Sequence, residues 1–332
     1  MTEIMTFGEP MVVYIAEEPG SFQEVSRYSR GLAGAELNFA VGVTRLGHQA
    51  SYFSKLGDDP YGAYIRSFIE KEGIDGSSLV FDSRYLTGSY IKTKVYEGDP
   101  EVFYFRKNSA ASHIGPEDVR SLEFKGTRLF HLTGITPALS KECKAASIEA
   151  VRKARWEKVM VMFDPNIREK LWDSKEEMRD TLNTLAFESD IFLPGIKEGR
   201  LLTGLYEPRE IADYYLERGT GAVIIKLGAQ GAYFRTNAEN GVCTGCGSGK
   251  IKAGPSEGMV PGYKPEKIVD TVGAGDAFAA GAACALLEGL SLEEAAAAGN
   301  AMGAIIISAK GDNDNLPDKE RLHDFMKHAH RI

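Results

Sequence analysis

Residues 270–281 read DTVGAGDAFAAG, and one of them could do chemistry: Asp276, the single interior acid in a run of glycines and small apolar residues. The glycine turn and the smooth alanine run after it predict a loop entering a helix, with Asp276 in or near the first turn. A helix start carries unpaired backbone N–H groups and partial positive charge, so it favours an anion. A carboxylate there can serve as a plain cap. The glycines on either side of Ala274 point elsewhere, because they let the backbone approach a ligand closely.

Other polar residues follow apolar runs. RLFHL (128–132), VMVMF (159–163), IFL (191–193) and AVIIKL (222–227) are continuous apolar stretches, as expected of strands covered on both faces. Following them come TG (133–134), DPNIR (164–168), GIKE (195–198) and GAQG (228–231). In an open parallel sheet ligands bind beyond the carboxyl ends of the strands, so these segments and GAGD (273–276) should meet at one edge. Each also has a plain reading. Asp164-Pro165-Asn166 makes a good turn, Glu198 a first-turn helix acid, and Gly228 with Gly231 a hairpin between 222–227 and 232–235. Together, beside a glycine-lined helix start, they point to a nucleotide site.

The elements that must position these residues alternate between strands and amphipathic helices, which predicts an α/β fold with a mainly parallel sheet. Asp59 before Pro60, with Gly73 beyond, brackets a helix at about 60–72. Ser174 with Glu177 and Ser291 with Glu294 are spaced as capping boxes. Residues 11–31 and about 86–107 break the rhythm. Their alternation, with turn residues at Pro19-Gly20 and Gly98-Asp99-Pro100, predicts β-hairpins. A small sheet projecting from the larger one would accommodate both, and could cover a binding site as a lid. No repeat, low-complexity tract or linker interrupts residues 1–332, which predicts one major domain.

Composition narrows the function. A net charge of −8 disfavours nonspecific binding to nucleic acid or to an anionic membrane. No apolar run approaches the ~18 residues of a membrane span. The N-terminus carries acids where a signal peptide needs bases, so a cytoplasmic location is expected. Four cysteines are too few for a disulfide scaffold. Cys243 and Cys246 form a C-x-x-C without a second cysteine pair or a nearby histidine, leaving a zinc site half built. The P-loop pattern fails there too, with Thr244 at its first glycine and Ile251 after Lys250. The dinucleotide fingerprint fails at Phe278, which stands at the third glycine position.

DTVGAGDAFAAG resembles the C-terminal signature of the ribokinase-like (PfkB) carbohydrate kinases, and GLAGAELNFAVGVTRLG (31–47) resembles their N-terminal sugar-binding segment. DPNIR and the stretch from Lys226 to Gly231 also stand where that family has matching elements. The resemblance implies a Rossmann-like α/β fold with a β lid, and an ATP- and Mg2+-dependent kinase of a small hydroxylated substrate. Phosphoryl transfer asks a protein mainly to position reactants and neutralise charge. By resemblance, the N–H groups of Gly273, Ala274 and Gly275 form the anion hole. Asp276, kept ionised at neutral pH by the helix start, takes the proton of the attacking hydroxyl. Asn166, Lys226, Gly228, Gly231 and Asn300 are assigned to ATP. The family usually carries Asn-x-x-Glu after the strand at about 191–193. Here Gly195 replaces the asparagine, so Mg2+ is expected to be handled indirectly, by Glu198 through water.

A narrower likeness concerns the substrate. AGAE (33–36), FYFRKNSA (103–110) and HLTGITPALS (131–140) resemble segments of the 2-keto-3-deoxygluconate kinases within that family. The likeness implies contacts from Gly34, Tyr90, Tyr104, Arg106, Arg168 and, from a loop, Asp312. Arg106 ends the second hairpin and Arg168 ends DPNIR. If the small sheet closes over the strand ends, both can face one pocket, and paired guanidiniums suit a carboxylate. The expected substrate is therefore the keto-deoxy sugar acid and the product its 6-phosphate. A kinase of a neutral sugar or nucleoside, and a non-catalytic sugar- or nucleotide-binding regulator, remain the alternatives. Exposed edges of the small sheet could pair between chains, which makes a homo-oligomer through the lid an expectation.

Overall fold

The apolar runs become buried strands because both of their faces are covered by helices or by the rest of the sheet. The computed structural model describes residues 2–95, 101–237, 256–309 and 311–332. Cys243, Cys246 and the turn expected at Gly98-Asp99-Pro100 lie outside the described residues. In chain order the strands are β1 (Ile4–Phe7), β2 (Met11–Ala16), β3 (Tyr28–Ala33), β4 (Ala50–Phe53), β5 (Lys55–Gly57), β6 (Val80–Asp82), β7 (Ser89–Lys92), β8 (Val102–Phe105), β9 (Leu129–Thr133), β10 (Met160–Asp164), β11 (Ile191–Phe192), β12 (Ala222–Lys226), β13 (Ala232–Thr236) and β14 (Ser256–Val260). The α-helices are α1 (Ala35–Arg45), α2 (Pro60–Lys71), α3 (Pro116–Ser121), α4 (Lys141–Trp156), α5 (Lys175–Phe187), α6 (Ile196–Thr203), α7 (Pro208–Leu216), α8 (Ala274–Leu287), α9 (Leu292–Ile306) and α10 (Lys319–His328).

The large sheet runs β14-β13-β12-β11-β10-β9-β1-β4. Its strands from β4 to β12 are parallel, and β13 and β14 add an antiparallel edge. β1 and β4 were not among the strands read from the sequence, since IMTF and ASYF are too short and mixed to stand out. From β1 the chain passes to β4 on one side and later returns to β9 on the other, so the order reverses beside β1. Such a switch point opens a crevice at the carboxyl ends of the strands.

The two irregular segments form one four-stranded sheet, β3-β2-β7-β8. β2 pairs with β3 and β7 with β8, both antiparallel, and a parallel β2–β7 pairing joins the hairpins. Pro19-Gly20 is not a tight hairpin turn. Residues 17–27 form a longer connection in which Gly20 bridges to Lys94. Edge strand β8 is exposed along its length.

Capping went largely as the sequence suggests. The Asp59 carboxylate accepts from Gly62 N–H at 2.8 Å at the start of α2, and Ser291 and Glu294 form a reciprocal box at α9. At α5 the box is one-sided. Ser174 Oγ accepts from Glu177 N–H at 3.0 Å, while the Glu177 carboxylate turns to Lys144.

Helix α8 is made of small residues because it is wedged between α1 and α9. A Cβ on Gly281 would stand 2.8 Å from the Ala298 carbonyl oxygen, and one on Gly42 of α1 would stand 2.7 Å from Ala280 Cβ. The alanines thus serve helix–helix approach. Among the described residues no helix is long and apolar enough to cross a membrane.

Candidate active site

The chain enters α8 through Gly273, whose φ of 80° lies in the left-handed region; a Cβ there would also meet the Asp312 carbonyl oxygen at 2.5 Å. Only glycine fits such a turn. It leaves the first N–H groups of α8 without intrahelical partners. Asp276, in the first turn, does not cap them. Its Oδ2 accepts from Asn38 Nδ2 at 2.8 Å and its Oδ1 from Asn166 Nδ2 at 3.0 Å. The choice left open in the sequence is therefore decided: the carboxylate faces away from its own helix and toward a cavity.

That cavity, of about 380 Å³, collects residues from far apart in the chain. Glu9 follows β1, Gly34 precedes α1, Asn166 and Arg168 follow β10, Glu198 lies on α6 and Lys226 ends β12. The small sheet adds Tyr90, Tyr104 and Arg106, and the loop after α9 adds Asp312. All the expected sugar-side residues thus line one space, as do Gly273, Ala274, Gly275 and Asp276. Tyr90 and Tyr104 pack with ring centroids 5.3 Å apart. Gly34, at φ 135°, lets the chain pass Glu9, whose carbonyl oxygen would be 2.7 Å from a Cβ.

Two expectations change on the electrostatics. Asp276 is not held ionised by the helix start. Burial, aided by the negative charges of Asp164 and Asp312, raises its pKa to about 7, against the opposing pull of Asn38 and Arg168. The helix dipole, worth at most ~2 kcal/mol, does not offset the desolvation of a buried carboxylate. Asp312, buried and hydrogen-bonded by the Tyr90 hydroxyl at 3.3 Å, is raised to about 6, chiefly by burial.

The second change concerns the arginine pair. Arg106 is already ion-paired with Glu9, whose side chain is 1% exposed, and Ser109 also donates to Glu9. Arg168 makes no ion pair among the described residues and donates only to the carbonyls of Asn166 and Ile167. The two guanidiniums are unequal: one is matched by a buried acid, the other has no carboxylate partner among the described residues.

At the floor, Lys226 Nζ lies 2.6 Å from Asp164 Oδ2. Burial works against its charge, but Asp164, Glu198 and Asp276 together keep the ammonium above its usual pKa. Both Glu198 oxygens are engaged by backbone, one by Gly195 N–H at 2.6 Å and one by Ile167 N–H at 2.8 Å. Gly195 is the N-cap of α6, so in place of an asparagine side chain it contributes only its backbone, fastened by Glu198.

A second cavity, of about 360 Å³, opens on the other side of the α8 start and shares Lys226, Thr271, Ala274 and Gly275 with the first. Its walls are glycines and apolar side chains, among them Ile268, Phe278 and Ile307, with Gly228, Gly231 and Asn300 as expected. Asn300 spends its amide on the carbonyls of Val260 and Pro261, each at 3.2 Å. Asn166, assigned with these to ATP, lines the first cavity only.

Sequence reading missed Asn38, Glu9, Glu36 and Asn313. Glu36 is a buried part of the cavity wall, where Thr133 and Thr136 hydroxyls donate to it at 2.5 and 2.9 Å; burial raises its pKa. A signal existed: Glu36 and Asn38 are polar positions in the otherwise apolar AELNFAVGV.

Residues 1–319 match the pfkB family carbohydrate kinase. The chain belongs to that family. The kinase is 43% identical to a 2-dehydro-3-deoxygluconokinase of Bacillus subtilis, over 98% of this chain and 95% of that one. It is 30% identical to a 2-dehydro-3-deoxygluconokinase of Thermoproteus tenax, over 98% and 95%. Among solved structures, a PfkB protein from Polaromonas sp. JS666 superposes with a TM-score of 0.84 at 37% identity, covering 97% of this chain and 99% of that one. A ribokinase II candidate from E. coli, solved with ATP and Mg2+, gives a TM-score of 0.85 at 26% identity, over 98% and 99%. The kinase thus has the ribokinase-like fold expected of it.

Proposed function

We propose that this kinase transfers the γ-phosphoryl group of ATP to the 6-hydroxyl of 2-dehydro-3-deoxygluconate, also called 2-keto-3-deoxygluconate. One observation carries the choice of a sugar acid: Arg168, free of any carboxylate partner among the described residues, reaches the same cavity as Arg106 and Asp276. The names of the Bacillus and Thermoproteus relatives support it.

In this reading the substrate carboxylate supplies the partner that Arg168 lacks, and Arg106, held by Glu9, supports it from the small sheet. That sheet acts as a lid on a one-domain kinase. Tyr90 and Tyr104 wall the sugar, Gly34 lets backbone approach it, and Asp312 accepts from a sugar hydroxyl. The 6-hydroxyl then points at Asp276. Its oxygen bonds to the γ-phosphorus as the bond from that phosphorus to the β,γ-bridging oxygen breaks, and its proton passes to Asp276. ADP leaves with the bridging oxygen. The charge on the transferred group meets the N–H groups of Gly273, Ala274 and Gly275 at the junction of the cavities, with the Lys226 ammonium beside them. These donors are in place before the reaction, which is where such sites derive most of their effect.

ATP fits the second cavity, its base among the apolar walls near Asn300 and its phosphates passing Gly228 and Gly231 toward Lys226. Mg2+ is a hard cation that keeps several of its waters. Glu198 suits a hydrated ion, because each oxygen already accepts one backbone N–H and can accept from water as well. Bound there, the ion would neutralise charge on the phosphate oxygens.

The test is ADP release from ATP–Mg2+ with the sugar acid, fructose, ribose and a nucleoside as acceptors. The sugar acid should be preferred in kcat/KM by about a hundredfold or more, the effect of one charge-assisted contact of roughly 3 kcal/mol. Equal turnover of a neutral sugar overturns the substrate, and tight binding without any turnover overturns the reaction.

A further inference from the structure

Three buried hydrogen bonds, all donated by side-chain amides, lead from a backbone carbonyl to the proposed base. Asn313 Nδ2 donates to the Leu32 carbonyl at 3.3 Å and to Asn38 Oδ1 at 3.0 Å, and Asn38 Nδ2 donates to Asp276 Oδ2 at 2.8 Å. Asn313 and Asn38 are 3% and 2% exposed. The polarity of the chain is not arbitrary. A backbone carbonyl can only accept, so Asn313 must present its NH2 group there. That nitrogen has one hydrogen left, which faces Asn38. If the Asn38 amide turned over, two NH2 groups would confront each other in a buried place, and Asn38 would offer Asp276 an acceptor where the ionised acid needs a donor.

We propose that Asn313 is a positioning residue for phosphoryl transfer: through Asn38 it fixes which end of an amide faces Asp276, and so holds that carboxylate as a proton acceptor. Asn166 supplies the matching donor to the other oxygen. The loop carrying Asn313 is itself anchored. Arg45 donates to the carbonyls of Asn313 and Leu316 at 2.9 and 3.1 Å while gripping Glu72 with its other nitrogens. The charged groups around Asp276 are Asp164, Lys226, Arg168 and Asp312, and an apolar residue at 313 leaves all four in place.

The proposal rests on Asp276 being the base, and the experiment separates the two. The pH profile of kcat is measured for the parent, Asn313→Leu, Asn38→Leu and the double variant, with thermal melts to establish folding. Freed from Asn313, the Asn38 amide turns over part of the time, and the acid limb of Asn313→Leu should move up by about one pH unit, a roughly tenfold loss on that limb. In the Asn38→Leu background the same change should move the limb no further. A folded Asn313→Leu with an unmoved limb overturns the proposal, as does an equal shift in both backgrounds. If Asn313→Leu does not fold, Asn313→Ser is judged by the same two criteria. An active Asp276→Asn would instead bring down the base itself.

Discussion

The two cavities that meet at the start of α8 are close in size and opposite in character. The first, proposed for the sugar, contains Glu9, Glu36, Asp164, Glu198, Asp276 and Asp312, with Arg106, Arg168 and Lys226 set among them. The second, proposed for ATP, offers glycine backbone, aliphatic and aromatic walls, and Asn300. In the proposed function the first discriminates a small polar substrate and moves its proton, which requires fixed charges whose pKa values respond to burial. In the same reading the second holds a flat ring system by contact area and leaves its phosphates to backbone and Lys226. Ala274 and Gly275 line both, while Gly273 and the Asp276 carboxylate belong to the first.

The sharpest way to break this contrast is Asp276→Asn. It should lower kcat by about 10²–10⁴-fold while ATP affinity, read by calorimetry, stays near that of the parent. A variant keeping more than a tenth of parental kcat would remove the base. The same substitution has a thermodynamic signature. The folded pKa of Asp276 is raised to about 7, so the folded state binds its proton more tightly than the unfolded chain. That stabilisation is complete below the ordinary carboxylate range and is lost as pH rises through about 7. Between pH 5 and pH 8 the parent should therefore lose more melting temperature than Asp276→Asn. A parallel decline in both would contradict the burial-driven shift.

Next in size is the contrast between the two arginines. Arg168→Leu should raise KM for the sugar acid by an amount equivalent to about 2–5 kcal/mol, leaving KM for ATP and the melting temperature nearly unchanged. Arg106→Leu strips buried Glu9 of its counter-charge and should cost stability as well. If both variants bind the sugar acid as the parent does, the carboxylate has no guanidinium partner here.

The smallest effect tests the apolar side. Gly303 lines the nucleotide cavity, and a Cβ there would meet the Ala274 carbonyl oxygen only at an ordinary 3.5 Å. Gly303→Leu should therefore fold and fill space, raising KM for ATP by roughly tenfold, on the order of 1.4 kcal/mol, with KM for the sugar acid unchanged. A change confined to the sugar acid would reverse the assignment of the two cavities.

Much of this division is legible in the chain because it is local. The glycines that force the turn before α8, the Asx turn in which Asn166 N–H donates to Asp164 Oδ1 at 3.1 Å, and the caps of α2 and α9 each depend on neighbours a few residues away. Polar segments following apolar runs identified one edge of the sheet, since consecutive parallel strands must present their carboxyl ends together. What stayed hidden was pairing at a distance. Asn38 meets Asp276 across 238 positions and Asn313 meets Asn38 across 275. Glu9, in the link from β1 to β2, and Arg106, just after β8, likewise meet only in the folded chain.

By itself, then, the sequence determined the α/β alternation, the glycine turn into α8, the presence of an acid in its first turn and the grouping of polar residues at strand ends. These follow from backbone sterics and local hydrogen bonding, which act over a few residues. Only the tertiary structure decided that Asp276 faces two amide donors and not its own helix, that its pKa lies near neutrality, and that Arg106 is matched by Glu9 while Arg168 has no ion pair among the described residues. Burial and charge pairing act through space, and their sign at any residue depends on what the rest of the fold brings beside it.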